Sequence, residues 1–200
     1  MTMRRAALTG GIATGKSYCL GRFASLGARV VDADRLAREA VAPATAGLAR
    51  VVERFGPEFL LPDGSLDRPA LGRLVFADRT ARADLEAIIH PEVYRRIGEW
   101  FANLPAGTQI AIADIPLLFE TGHQHDFELV IVCACSTAEQ LRRLTARDGL
   151  SEAAARARLD AQWPIEEKIE RAHLVIRTDA GFAETDRAVA AAYERLRAGG

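Results

Sequence analysis

Residues 10–17 carry the pattern most directly tied to chemistry in this chain, Gly10-Gly11-Ile12-Ala13-Thr14-Gly15-Lys16-Ser17. The run matches the phosphate-binding pattern G-x-x-x-x-G-K-[ST] at every position. A glycine-rich turn between a strand and a helix N-terminus gathers backbone N–H groups around an anion. We therefore predict a phosphate loop that binds a nucleoside triphosphate, with Lys16 on the outer phosphates and Ser17 as a ligand of Mg²⁺. The alternative is a glycine turn whose lysine lies in solvent.

Two carboxylates follow the second predicted strand, in the run Asp32-Ala33-Asp34. The carboxyl ends of parallel strands form the edge at which open α/β sheets bind ligands, and the phosphate loop lies at the same edge. One carboxylate could accept a proton from an attacking hydroxyl, and the other could hold Mg²⁺ through water. Asp34 could equally serve as the cap of the following helix, and the two roles are compatible.

Other ionisable side chains have open interpretations at this point. Asp114 ends a predicted strand, where an acidic residue can hold a metal. Arg143 and Arg147 lie four residues apart and share a helix face, either to stabilise a transferred phosphoryl group or as a solvated surface. His90, which precedes Pro91, could be a packed or capping histidine.

Short apolar segments alternate with helical patterns along the chain. Such segments, without polar alternation, are typical of parallel strands buried on both faces. Repeated β-α-β units predict an α/β fold with a doubly wound, five-stranded parallel sheet. The predicted strands are residues 6–9, 28–31, 109–113, 129–133 and 174–176.

The connection between the second and third strands is about 75 residues longer than a minimal crossover needs. Its pattern predicts helices over residues 33–42, 45–55, 69–76, 81–89 and 91–103. After the fourth strand, Ser136 and Glu139 fit a capping box that begins a helix, which breaks at Asp148-Gly149. A second helix over 151–163 completes an arginine-lined arm. An amphipathic helix over 184–197 closes the chain, with Val189, Ala192, Tyr193 and Leu196 facing the sheet.

Composition excludes several classes of protein. Acidic and basic residues nearly balance, 27 against 26, so no basic field indicates a nucleic-acid partner. No apolar run reaches the length of a membrane span, and the N-terminus lacks the pattern of a signal peptide. Three cysteines argue for reduced, buried thiols and against a disulfide framework. We expect a cytoplasmic protein with no membrane association and no obligate protein partner.

The motifs together resemble the dephospho-CoA kinase family over nearly the whole chain. The phosphate loop alone is typical of a much larger superfamily, whereas the combination with the later strings is specific to this family. The strings that carry the resemblance are residues 8–17, Asp32-Ala33-Asp34 with Ala37-Arg38-Glu39, His90-Pro91, Pro116-Leu117-Leu118-Phe119-Glu120, and Gln140-Leu141-x-Arg143-Leu144-x-x-Arg147-Asp148, with Arg158 and Gln162 completing the arm.

The resemblance implies transfer of the γ-phosphoryl group of ATP to the ribose 3′-hydroxyl of dephospho-CoA, with Mg²⁺, giving CoA and ADP. It implies one domain with a sheet of the P-loop kinase type. The core comprises residues 1–34 and 106–200, with a helical CoA-binding insertion over about 35–105 and a helical lid over about 140–165. The implied catalytic residues are Asp34 as general base, Lys16 and Arg147. The implied ATP-binding residues are Gly11, Ile12, Ala13, Thr14, Gly15, Lys16, Ser17, Tyr18, Arg143 and Arg147. The implied acceptor-binding residues are Asp34, Arg38, His90 and Leu117, and the implied metal-binding residues are Ser17 and Asp32.

One segment departs from the family pattern. The family usually carries Asn-x-Gly after the last strand, where this chain has Arg177-Thr178-Asp179-Ala180. The resemblance therefore does not assign the residues that contact the nucleotide base.

The classes of protein that compete with this interpretation are another small-molecule kinase, a P-loop GTPase and a structural relic of a P-loop protein. Guanine recognition usually needs an [NT]-K-x-D string, and the only lysines, Lys16 and Lys168, form none.

Overall fold

The computed structural model describes residues 3–199 and contains one five-stranded parallel sheet in the order β2-β3-β1-β4-β5. The predicted α/β fold class is confirmed. The strands are β1 (Arg4–Gly10), β2 (Arg29–Asp32), β3 (Ile110–Asp114), β4 (Leu129–Ala134) and β5 (Leu174–Arg177). The helices are α1 (Lys16–Ser25), α2 (Ala33–Ala40), α3 (Ala46–Phe55), α4 (Arg68–Ala77), α5 (Arg79–Ala102), α6 (Thr137–Asp148), α7 (Glu152–Asp160), α8 (Ile165–Glu170) and α9 (Phe182–Ala198).

The described chain divides into two compact units. The first comprises residues 3–31 and 104–199 and contains nearly the whole sheet, and the second comprises Asp32–Asn103. Burial of alternate strand residues against α1 and α9 forms the main core of the first unit. As predicted, Val189, Ala192 and Leu196 of α9 belong to this core, with Tyr193 packed against it.

The second unit is a helical body with its own apolar core. Side chains from α3, α4 and α5 form this core, together with Val41 and Leu66. Helix α5 contacts α2, α3 and α4, so it is the central element of the unit. Each of α2, α3, α4 and α5 begins with an Asp or Thr side chain that accepts a hydrogen bond from the first turn, which explains why these helices begin where they do.

Three local predictions were wrong. The two helices predicted on either side of His90-Pro91 are one helix, α5, with Pro91 in its interior. A proline removes one backbone hydrogen bond, and packing of the long helix against three neighbours outweighs that loss. The helix predicted over 151–163 ends at Asp160, and the separate helix α8, absent from the prediction, follows Pro164.

The predicted capping box at α6 is only half present. Ser136 caps the helix as expected, with its Oγ accepting from Glu139 N at 3.3 Å. In a complete capping box Ser136 N would donate to the Glu139 side chain, but here it donates to Asp179 Oδ2 at 2.8 Å. The Glu139 carboxylate is thereby left to bind arginines.

Candidate active site

The phosphate loop, residues 10–17, connects β1 directly to α1 in the first unit. Gly15 has φ +81° and Ala13 has φ +60°, both in the left-handed region. A non-glycine residue at positive φ is strained, and such strain is typical of a ligand-binding loop. The first helical bond into α1 runs from Cys19 N to Gly15 O at 3.2 Å. The N–H groups of Lys16, Ser17 and Tyr18 precede this bond and are therefore available to an anion.

Side chains from the second half of the chain hold three successive carbonyl groups of this loop. These bonds run from Gln140 Nε2 to Ile12 O (2.7 Å), from Arg143 Nη1 to Ala13 O (3.4 Å) and from Thr178 Oγ1 to Thr14 O (2.8 Å). In a planar trans peptide the C=O and the next N–H point in opposite directions. Holding the Ile12 and Thr14 carbonyls outward therefore directs the N–H groups of Ala13 and Gly15 toward the other side of the loop, where phosphates would lie. Thr14 N instead donates to Gly11 O within the loop at 3.3 Å.

The arm formed by α6 and α7 also contacts the loop at its C-terminal end. Gln162, which follows α7, accepts a hydrogen bond from Ile12 N at 2.8 Å. Gln140 and Gln162 thus bind the carbonyl and the N–H of the same residue. The peptide groups on both sides of Ile12 are fixed by side-chain amides.

Lys16 lies against the acid at the end of β3, the strand beside the central strand β1. Its Nζ pairs with Asp114 Oδ1, and the two side chains are 15% and 5% exposed. The parallel register places Asp114 beside Leu8 of β1, two residues before the loop begins. The lysine is thereby held at the base of the loop by a buried carboxylate.

Arg143 is fixed in place beside the loop. Its Nη2 donates to Thr178 O at 2.6 Å and its Nε donates to Glu139 Oε1 at 2.7 Å. Hydrogen bonds from Arg142 and Arg143 lower the pKa of Glu139 from 4.5 to about 2, so its carboxylate is ionised at neutral pH. Arg143 therefore brings a positive charge to the phosphate loop in a defined orientation.

Arg147 makes different contacts from Arg143, although both lie on α6. Its Nε donates to Asp148 Oδ1 at 2.7 Å, and the side chain is 60% exposed. Arg158 of α7 donates to the other oxygen, Asp148 Oδ2, at 2.9 Å. The structure thus brings Arg143 to the loop, while Arg147 binds its neighbour Asp148, whose bond from Arg158 joins α6 to α7.

Ser17 and Tyr18 continue the loop into α1, and both are exposed. The Tyr18 hydroxyl donates to Asp186 Oδ1 at 2.8 Å, and this hydrogen bond raises the pKa of the phenol. Its ring packs 4.8 Å from that of Phe182. The side chain of Tyr18 is thus engaged away from the loop, and its backbone N–H is the group of this residue that lies at the start of α1. Leu117, also in this unit, is half-buried in the turn after β3.

The second unit begins with the two carboxylates of the Asp32-Ala33-Asp34 run. Asp32 is the N-cap of α2, and its Oδ1 accepts from Asp34 N at 2.8 Å. The interpretation of Asp34 as the cap is therefore wrong. Asp34 lies in the first turn of α2 with its side chain exposed, so its carboxylate is open to a ligand.

Two arginines of the second unit lie close together. Arg68 Nη2 donates to Arg38 O at 2.9 Å, and burial and the charge of Arg38 lower the pKa of Arg68. Neighbouring like charges are unfavourable by themselves and are stabilised by an anion. His90 lies half-buried in the middle of α5, directly before Pro91.

The model of one protein family, dephospho-CoA kinase, matches residues 5–184. The chain belongs to the dephospho-CoA kinase family. The chain is also 49% identical to a dephospho-CoA kinase of Anaeromyxobacter dehalogenans over 197 residues, which cover 98% of this chain and 92% of the relative.

Solved structures agree with membership of the dephospho-CoA kinase family. A Thermus thermophilus protein of known structure is 35% identical and superposes with a TM-score of 0.84, covering 98% of each chain. The dephospho-CoA kinase from Campylobacter jejuni is 28% identical with a TM-score of 0.67, covering 97% of each chain. The chain is thus an enzyme, a kinase of this family with a nucleotide-binding P-loop.

Sequence reasoning assigned no role to several residues that hold the phosphate loop of this enzyme. Thr178 lies in the segment that departs from the family pattern, and its hydroxyl contacts Thr14, Arg143 and Ala134. Gln140 and Gln162 were part of the resemblance without a function. A side-chain hydroxyl or amide that binds a backbone group far away in the sequence produces no motif of fixed spacing. These contacts are therefore seen only in the structure.

Proposed function

We propose that this kinase transfers the γ-phosphoryl group of ATP to the ribose 3′-hydroxyl of dephospho-CoA, giving CoA and ADP, the last step of CoA synthesis. Membership of the family supports the reaction. The single observation that carries the phosphate chemistry is the loop itself, whose carbonyls are bound from outside by Gln140, Arg143 and Thr178. An oriented set of N–H groups stabilises charge without reorganising during the reaction.

In this proposal the loop and its neighbours hold the donor. The N–H groups of Gly11, Ala13 and residues 15–18 surround the β- and γ-phosphates, and Lys16 reaches the outer oxygens. Arg143 adds positive charge from its fixed position, and Arg147 contacts a phosphate when ATP is bound. The arm of α6 and α7 acts as a lid that excludes water, since water would otherwise compete for the phosphoryl group.

Ser17 and Asp32 are the proposed ligands of Mg²⁺, Asp32 through water. The donor set suits this ion, because Mg²⁺ prefers hard oxygen ligands and retains several waters beside the phosphates. Ser17 offers an exposed hydroxyl at the start of α1, and Asp32 uses Oδ1 for its cap, which leaves Oδ2. When bound, Mg²⁺ neutralises charge on the transferring phosphoryl group.

The second unit, in this proposal, binds the acceptor. Asp34 orients the 3′-hydroxyl and accepts its proton as the oxygen attacks the γ-phosphorus. Arg38, with Arg68 beside it, offers positive charge to a phosphate group of dephospho-CoA. His90 and, from the first unit, Leu117 complete the proposed acceptor contacts.

The proposed location is the cytoplasm. Among the described residues, no helix has the length and apolar character that crossing a membrane requires. All three cysteines are free and buried.

One assay tests the proposed reaction against its alternatives. The enzyme is supplied with Mg²⁺·ATP and, in separate reactions, dephospho-CoA, adenosine or nucleoside monophosphates, and ADP release is measured. We expect release with dephospho-CoA only, with a product phosphorylated at the 3′ position by phosphorus NMR. Lys16→Ala should lower turnover by about 10²-fold or more, since it removes a charge that acts on the transferred group. Faster turnover with a monophosphate would assign a different acceptor.

A further inference from the structure

One of the two lysines of this arginine-rich chain is completely buried. Lys168 lies in α8 with 0% of its surface exposed. Its Nζ lies 2.7 Å from Glu120 Oε1 and 3.4 Å from the backbone oxygen of Gly10, the first residue of the phosphate loop. A buried ammonium group is stable only when such partners replace the water it has lost.

Glu120 depends on this lysine. Its side chain is 16% exposed, and its Oε1 also accepts from Trp163 N at 3.1 Å. Its other oxygen, Oε2, is buried and has no hydrogen-bond partner among the described residues. The carboxylate therefore needs the charge of Lys168 for compensation. Glu120 thus joins the segment after β3 to α8 through Lys168 and to the end of the lid arm through Trp163.

The contact with Gly10 has a defined geometric consequence for the loop. Gly10 is held against β4, where a Cβ would lie 2.5 Å from Cys133 O, so its position has little freedom. An ammonium group beside the Gly10 carbonyl attracts the negative end of that dipole and orients the peptide joining Gly10 to Gly11. The N–H of Gly11 then points away from Lys168.

Lys168 thus extends the series formed by Gln140, Arg143 and Thr178 to the start of the loop. We propose that Lys168, held by Glu120, is a positioning residue for phosphoryl transfer that orients the Gly10 carbonyl and thereby the first inward N–H of the phosphate loop. The inference rests on the proposed function, because it takes ATP as the ligand of the loop. It goes beyond that function by giving a role to a residue pair that touches no substrate.

A purely structural ion pair is the competing explanation, and paired substitutions separate the two. Lys168→Met leaves Glu120 buried without its charge partner and should lower the melting temperature. Glu120→Gln keeps the lysine donor at Gly10. The double variant Lys168→Met/Glu120→Gln removes both charges and the donor. Arg197→Met removes an exposed cation, 57% exposed and 3.1 Å from Glu194, and serves as the control.

The measurements are the melting temperature, the dissociation constant of ATP by calorimetry, and kcat and KM for each substrate. We expect the double variant to melt close to the wild type but to bind ATP about tenfold or more weakly, the loss typical of a hydrogen bond to a charged group. Its KM for dephospho-CoA should be unchanged. Glu120→Gln keeps the donor but loses the charge that holds it, so its affinity for ATP should lie between those of the wild type and the double variant. Arg197→Met should bind ATP like the wild type.

Two results would overturn the inference. One is a folded double variant with wild-type affinity for ATP, and the other is a double variant that fails to fold while Glu120→Gln folds, which would make the role structural. If the wild type binds ATP but does not phosphorylate dephospho-CoA, the proposed function fails, and the ATP dissociation constants of the variants still decide the role of Lys168.

Discussion

Asp32 and Asp34 are two residues apart and have different environments. Asp32 Oδ1 binds the N–H of Asp34, so this side chain stabilises the start of α2. Asp34 is exposed in the first turn of the same helix. An N-cap is worth about 1 kcal/mol of stability, and a carboxylate used this way is constrained in orientation. The capping contact therefore supports Asp34, rather than Asp32, as the residue that accepts the proton.

Replacement of Asp34 tests this assignment. Asp34→Asn keeps the size and polarity of the side chain but removes its basicity, and kcat should fall by about 10²–10⁴-fold with little change in the KM for ATP. Steady-state kinetics with dephospho-CoA measures both constants. Turnover within a few-fold of the wild type would exclude Asp34 as general base.

Asp32→Asn is the matched control. Asparagine caps a helix about as well as aspartate, so the melting temperature should not change. Under the proposed role of Asp32, the variant needs more Mg²⁺, and higher Mg²⁺ restores its turnover. Asp34→Asn should gain nothing from added Mg²⁺.

At the scale of elements, the phosphate loop and α6 are packed so closely that the loop depends on glycine. A Cβ at Gly11 would lie 2.4 Å from Gln140 Nε2, the atom that donates to Ile12 O. The φ angle of Gly11 is not in the left-handed region, so the restriction comes from packing and not from the backbone. Gly11 occupies a variable position of the phosphate-loop pattern, so the need for glycine there comes from the approach of Gln140.

Two glycine-to-alanine variants separate packing from a general effect of alanine. Gly11→Ala should displace Gln140, destabilise the protein by about 1–3 kcal/mol through the broken hydrogen bond and raise the KM for ATP. Gly21, inside α1, has open space within 4 Å of its Cβ position. Gly21→Ala should instead stabilise by about 0.5–1 kcal/mol and raise the melting temperature by roughly 1–4 °C. Thermal melts and ATP kinetics of the two variants give the comparison, and a harmless Gly11→Ala would contradict the close packing.

At the scale of the whole molecule, the chain consists of two units with separate cores. The phosphate loop belongs to the first unit, and Asp34, Arg38 and His90 belong to the second. If the donor and the acceptor bind mainly to different units, single substitutions should affect one ligand and leave the other unchanged.

The rise in melting temperature on adding each ligand tests whether the donor and the acceptor bind to different units. A ligand in about hundredfold excess over its Kd stabilises by about 2.7 kcal/mol, or roughly 5–10 °C for a protein of this size. Lys16→Ala should lose the shift with Mg²⁺·ATP and keep the shift with dephospho-CoA, and Arg38→Met should show the reverse. Loss of both shifts in either variant would contradict separate binding.

The sequence by itself determined the sheet, the phosphate loop and the family. These features depend on local patterns: apolar runs for strands, a fixed glycine and lysine spacing for the loop, and strings such as His90-Pro91 for the family. The sequence did not predict α5 as one helix, because a proline is a local signal for a helix end. Only tertiary packing outweighs that signal.

Only the tertiary structure decided how the loop is held. Residues 140, 143, 162, 168 and 178 come from elements far along the chain, and each binds the backbone of residues 10–14. Backbone groups are the same in every residue, so a side chain that binds them needs no matching residue type and leaves no pattern in the sequence. The folding of β4, β5 and their helices around β1 creates these contacts, which turn a common loop motif into an oriented phosphate site.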